Sequence, residues 1–146
     1  NKANLENAKL KGTYLKNADL NKVNLENANL ECANLKNANL KKGNLYCANL
    51  KNANLENTYL VSIYLEKAKL ENANLKFANL ENANLGNANL NKANLENAKL
   101  KGTYLKNAYL NKVNLENANL EFANLEKANL KGANLENVNF DNVILM

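Results

Sequence analysis

Leucine stands at every fifth position from Leu5 to Leu145, and only Phe140 departs from it. Two places earlier the residue is almost always small: Ala3, Ala8, Ala18 and Ala28, with Thr13, Val23, Gly43, Thr58 or Ile63 standing in elsewhere. An α-helix would smear leucines of period five around its whole circumference. A continuous strand would send successive leucines to opposite faces, because five is odd. The quintet itself resolves the conflict. If Ala3-Asn4-Leu5 is extended, the alanine and the leucine share a face. Glu6 and Asn7 must then turn the chain so that Ala8 and Leu10 point inward again. A short strand and a corner, repeated without change, predict a solenoid whose turns bury their apolar faces only against each other.

Composition agrees with that reading. The apolar residues are almost all Leu and Ala, whereas an irregular core needs a mixture of shapes to fill space. No linker or composition break divides the chain, so one domain is expected over 1–146. The longest uninterrupted apolar stretch is Val143 to Met146, which excludes a spanning helix or a signal peptide within this sequence. Cys32 and Cys47 are too few for a disulfide scaffold or a metal cluster, and a cytoplasmic location is the expectation.

Ala18-Asp19-Leu20, Ala28-Asn29-Leu30 and Ala83-Asn84-Leu85 carry a specific signature: small residue, Asn or Asp, Leu, then two variable residues. With this unit in register along the whole chain, the sequence resembles the pentapeptide-repeat family. The resemblance implies an all-β fold, a right-handed quadrilateral parallel β-helix of about seven coils with four pentapeptides each. The residues alone leave a coil of three quintets open beside one of four. Charge favours four, since Lys11, Glu31, Lys51 and Glu71 would then alternate in one column. Lys2, Lys22 and Lys42 would stack like on like. Gly12, Gly86, Gly102 and Gly132 fall at corners, where positive φ is easiest for glycine. Gly43 replaces an inward small residue and should leave extra room inside. Residues 1–40 and 91–130 differ at four positions only (Asp19/Tyr109, Cys32/Phe122, Lys36/Glu126, Asn37/Lys127), the mark of a duplicated block.

No catalytic set rises from this background. There is no His, Ser62 is the sole serine, and the carboxylates lie outward among lysines without a reason for a perturbed pKa. The expectation is a non-enzyme with no cofactor and no metal. The uncommon outward residues are the candidates for contact with a protein partner: Tyr59, Val61, Tyr64, Tyr104 and Tyr109. At the finish Phe140, Ile144, Leu145 and Met146 make an apolar end, which in related proteins pairs two subunits; a homodimer through this end is a second expectation. Some family members protect type II topoisomerases by resembling duplex DNA in shape and negative charge. This chain has the dimensions but a formal charge of +5. The leading reading is therefore a non-catalytic scaffold or protein-binding module, and its alternative is contact with DNA gyrase by partial duplex mimicry. Lys2, Lys22, Lys42 and neighbouring Lys41 could touch phosphates, but with acidic residues on adjacent columns and without any Arg a nucleic-acid partner is disfavoured.

Overall fold

The computed structural model describes residues 3–145; Lys2 and Met146, invoked above, lie outside the described residues. Each residue before a leucine pairs in parallel with the one four quintets on, from Asn4 with Asn24 to Asn124 with Ile144. One course of the stack is therefore four quintets, and successive courses lie about 4.8 Å apart. Four walls result, built on the quintets of Leu5, Leu10, Leu15 and Leu20 and their counterparts in the courses above.

The expected all-β class needs correction. Among the described residues there is no α-helix, no strand longer than one residue and no sheet. Every bridge is isolated, so the right-handed quadrilateral β-helix, a solenoid of strand-built coils, gives way to a stack of turns joined by single-residue bridges. The quintet itself limits the pairing. Bridge Asn4↔Asn24 uses the bonds Asn24 N–H to Ala3 C=O (3.0 Å) and Leu5 N–H to Asn24 C=O (2.7 Å). A second bridge would fall two residues on, at Glu6, where the chain is already turning.

The corners obey one rule. Leu5 C=O accepts from Ala8 N–H at 3.0 Å, closing a four-residue turn, and the same bond recurs at each corner. The third residue of the turn has positive φ, from 54° at Asn137 to 71° at Gly132. A type II turn requires this. Asn fills the site most often, because it tolerates the left-handed region better than other non-glycine residues. Gly12, Gly102 and Gly132 sit there as expected. Gly86 does not, for it is the first corner residue rather than the second.

All five N–H groups of a typical quintet are satisfied. Four donate to backbone carbonyls, and the fifth, as in Glu96, donates to Oδ1 of the Asn two places before it (3.0 Å). The same asparagines also form ladders between courses, such as Asn44 Nδ2 to Asn24 Oδ1 at 3.3 Å. Inside, Val23 to Leu125 form one continuous buried core of leucines and small residues. Thr58 and Thr103 join it because their hydroxyls donate to the carbonyls of Leu55 (2.6 Å) and Leu80 (3.1 Å). Gly43 leaves no spare room: a Cβ there would stand 3.0 Å from Leu40 O and 3.3 Å from Leu45 Cδ1.

Candidate functional site

Tyrosine before a leucine has nowhere to go but outward, since the bridge it makes fixes its backbone. Its ring then leans over the first corner residue of the course below, eighteen positions earlier. Tyr104 Cε1 would lie 3.1 Å from a Cβ on Gly86, which explains why that glycine is buried at a corner. Tyr59 receives Lys41 Nζ at 5.9 Å from its ring centroid. This is a cation–π contact. Tyr14, in the first described course, is 72% exposed.

The structure divides the five contact candidates. Tyr59 ends the fourth wall, the chain turns at Val61 and Ser62, and Tyr64 opens the first wall one course up, so these residues flank one corner. Tyr104 stands above Tyr64 in the same wall, two courses on; Tyr109 lies apart on the second wall. Tyr46, the outward tyrosine that stands just after a leucine, belongs with this group although it is not among the five contact candidates. Tyr46 and Tyr64 border a shallow hollow of ≈ 490 Å³ with Glu26, Lys42, Gly43 and Asn44. Lys67 Nζ donates to the Tyr46 hydroxyl at 2.9 Å and sits 5.3 Å from the ring centroid. The signal in the sequence was the spacing of eighteen between Tyr46 and Tyr64, which means nothing until the course length is known.

At the apolar end Phe140, Ile144 and Leu145 are all exposed, and Leu135 joins them at 38%. Ile144 occupies the outward site and pairs with Asn124, whereas Phe140 and Leu145 hold central positions of the last quintets. Cys32 is exposed, and Cys47 is half-buried on a different corner; both are free thiols. Among the described residues no group of three or more His, Cys, Asp or Glu could hold a metal ion. No helix there is long and apolar enough to cross a membrane.

Charge follows the courses. Lys11–Glu31, Lys36–Glu56, Lys51–Glu71, Lys76–Glu96, Lys101–Glu121 and Lys106–Glu126 pair at 2.8–3.1 Å, each lysine with the glutamate one course above. The expectation that no carboxylate is perturbed fails at Glu126, whose carboxyl the hydrogen bond from Lys106 holds below its usual value. The same bond raises Lys106. A lowered carboxyl contributes stability above its unfolded pKa and loses it as pH falls through the folded value. Replacing Lys106 with alanine should return the Glu126 titration upward toward the ordinary carboxylate range; an NMR titration of the Glu126 side chain that does not move would refute the pairing in solution.

Comparison with known proteins agrees with this geometry. The pentapeptide-repeat family model matches in eight copies, over residues 1–31, 18–57, 48–87, 68–107 and 108–145. A crystal structure of a pentapeptide repeat protein, Rfr23, from the cyanobacterium Cyanothece 51142 is 40% identical, with a TM-score of 0.52 over 77% of this chain and 64% of that one. A pentapeptide repeat protein from Nostoc Pcc 7120 is 39% identical, with a TM-score of 0.51 over 51% of this chain and 62% of that one. The chain thus spans less than two thirds of either relative's length. Full-length QnrB1, a plasmid-mediated fluoroquinolone resistance protein, shares the fold at 13% identity, with a TM-score of 0.58 over 93% of this chain and 88% of its own. None of the curated proteins matches the sequence. Family model, identity and bonding register converge: this chain belongs to the pentapeptide-repeat family.

Proposed function

We propose that the chain acts without catalysis by presenting its outer surface to a protein partner, and that the partner to test first is DNA gyrase. The observation that carries this reading is a wall whose backbone donors are satisfied while aromatic rings stand in solvent. Such a surface offers anchors at little entropic cost, because nothing beneath them needs ordering on contact. Tyr59, Val61 and Tyr64 form the main contact around their corner; Tyr104 extends it up the first wall, and Tyr109 lies to the side. The end formed by Phe140, Ile144 and Leu145 is the place where a second copy would meet the first end on.

Shared shape with a fluoroquinolone resistance protein favours a topoisomerase among possible partners. Any duplex mimicry is partial, for lysines interrupt the acidic residues along every wall. The most acidic region is the upper part of the fourth wall and its flanking corners, with Glu116, Glu121, Glu136 and Asp141. Purified protein should inhibit supercoiling by gyrase, and Glu116→Lys with Glu136→Lys should weaken that inhibition by more than about tenfold. Unchanged supercoiling at saturating protein removes gyrase as the partner. The wider reading then stands or falls on capture: Tyr59→Asn with Tyr64→Asn should release a partner that the unaltered chain retains.

A further inference from the structure

The net charge of the chain conceals a gradient along its fourth wall. Only with courses of four quintets do the two corners flanking this wall come into line. In the two lowest courses they bring Lys16, Lys22, Lys36, Lys41 and Lys42 together, against Asp19 alone. In the two highest, Glu116, Glu121, Glu136 and Asp141 stand with no lysine among them. The three courses between are balanced, with Glu56, Glu81 and Glu96 against Lys76, Lys99 and Lys101. That neutral middle exposes Tyr59 (43%) and Phe77 (47%) beside Val61. Internal pairing does not cancel the gradient. The ion pairs on this wall are Lys36–Glu56, Lys76–Glu96 and Lys101–Glu121. Among the described residues they leave Lys16, Lys22, Lys41 and Lys42 at one end, and Glu116, Glu136 and Asp141 at the other, without an ion-pair partner.

We propose that the fourth wall binds a second copy of this chain, side by side and antiparallel, about a two-fold axis at the course of Phe77. A two-fold contact must be self-complementary, so each residue type on the wall has to meet its complement when the wall is reversed. This wall does so toward both ends, whereas near the axis Glu56 faces Glu96, and Lys76 and Glu81 face their own copies. Reversal about the fourth of seven courses sets Lys16 opposite Glu136, Lys36 opposite Glu116 and Lys41 opposite Glu121, with Lys22 beside Asp141. Phe77 then meets its own copy, near Tyr59 and Val61. A parallel arrangement would set lysine on lysine. The spacing selects the partner as well: only another stack of the same rise keeps its charges in step over seven courses. An acidic peptide or a nucleic acid would find lysines in the lower courses and then meet carboxylates in the upper ones.

Sedimentation velocity of the full chain tests this directly. Dimers are expected at about 10 mM salt, where the Debye length is roughly 30 Å, and monomers at about 1 M, where it is roughly 3 Å. The variant K16E/K22E makes the wall acidic at both ends, and E136K/D141K makes it basic at both. Each alone should lose more than about tenfold in dimer affinity, since like charges then face each other. Mixed in equal amounts, the two variants should recover the dimer. All four positions are exposed corners, and thermal melts matching that of the unaltered chain would establish that both variants fold. A monomer at low salt, a dimer of K16E/K22E by itself, or a mixture that stays monomeric overturns the proposal. End-on pairing through Phe140 and Leu145 is apolar and would survive both K16E/K22E and about 1 M salt, so a salt-insensitive dimer assigns the contact to that end and overturns the pairing of the wall.

Discussion

Leu75→Ala is expected to destabilise the protein by about 2–5 kcal/mol, toward the upper end of that range. Leu75 is fully buried in the third wall of the fourth course, among leucines and alanines. The cost of such a cavity depends on how far the surroundings can collapse into it. Here they can move little. Leu75 N–H is tied to Asn94 C=O at 2.7 Å, Asn74 N–H to Ala53 C=O at 2.9 Å, and every neighbouring quintet is held in the same way. Leu135, in the last course, is already exposed. The same change there should cost only about 1 kcal/mol. Chemical denaturation of both variants measures the difference. Equal losses would mean that the interior does not distinguish the middle of the stack from its end.

Ala78→Leu should produce the second large effect, a loss of about 1–3 kcal/mol from overpacking with no polar group disturbed. Ala78 is fully buried and points inward beside Leu80 and Leu75. Added methylenes there can be accommodated only by spreading walls that the bridges Asn79↔Lys99 and Tyr59↔Asn79 hold in place. Gly43 already shows how tight the interior is. Even one methyl would press on Leu40 O and Leu45 Cδ1, so the vacancy suggested by the missing side chain has been filled by its neighbours. A thermal melt of Ala78→Leu matching that of the unaltered chain would contradict this close packing.

Much of the buried interior was legible before any coordinates. Period five in leucine, with a small residue two places earlier, was enough to sort inward from outward positions, because alternation over three extended residues is a local property. The same spacing could not say how much of the quintet would pair. Expecting strands followed from the extended Ala-Asn-Leu segment; the corner on either side leaves room for one bridge and no ladder. The left-handed residue at each corner is equally local, but in the sequence only the glycines point to it directly. Asn at the second corner position carried the same signal, and Lys22, Cys32, Phe77 and Phe122 adopt that conformation because their place in the repeat demands it.

The contact candidates show the other limit. Tyr59, Tyr64, Tyr104 and Tyr109 were visible as departures from Asn, yet their grouping depends on which residues lie one course apart. Tyr46 could not be joined to Tyr64, nor Gly86 to Tyr104, without a relation over eighteen positions that no local pattern contains. Likewise, a formal charge of +5 said nothing of a wall that is basic below and acidic above.

What the chain alone determined was the identity of the lining: which side chains avoid water follows from spacing along three or four neighbouring residues. What only the tertiary structure decided was the circumference. Closing a course after four quintets is a matter of which distant N–H meets which carbonyl, and that single choice places every outer side chain beside its neighbours above and below.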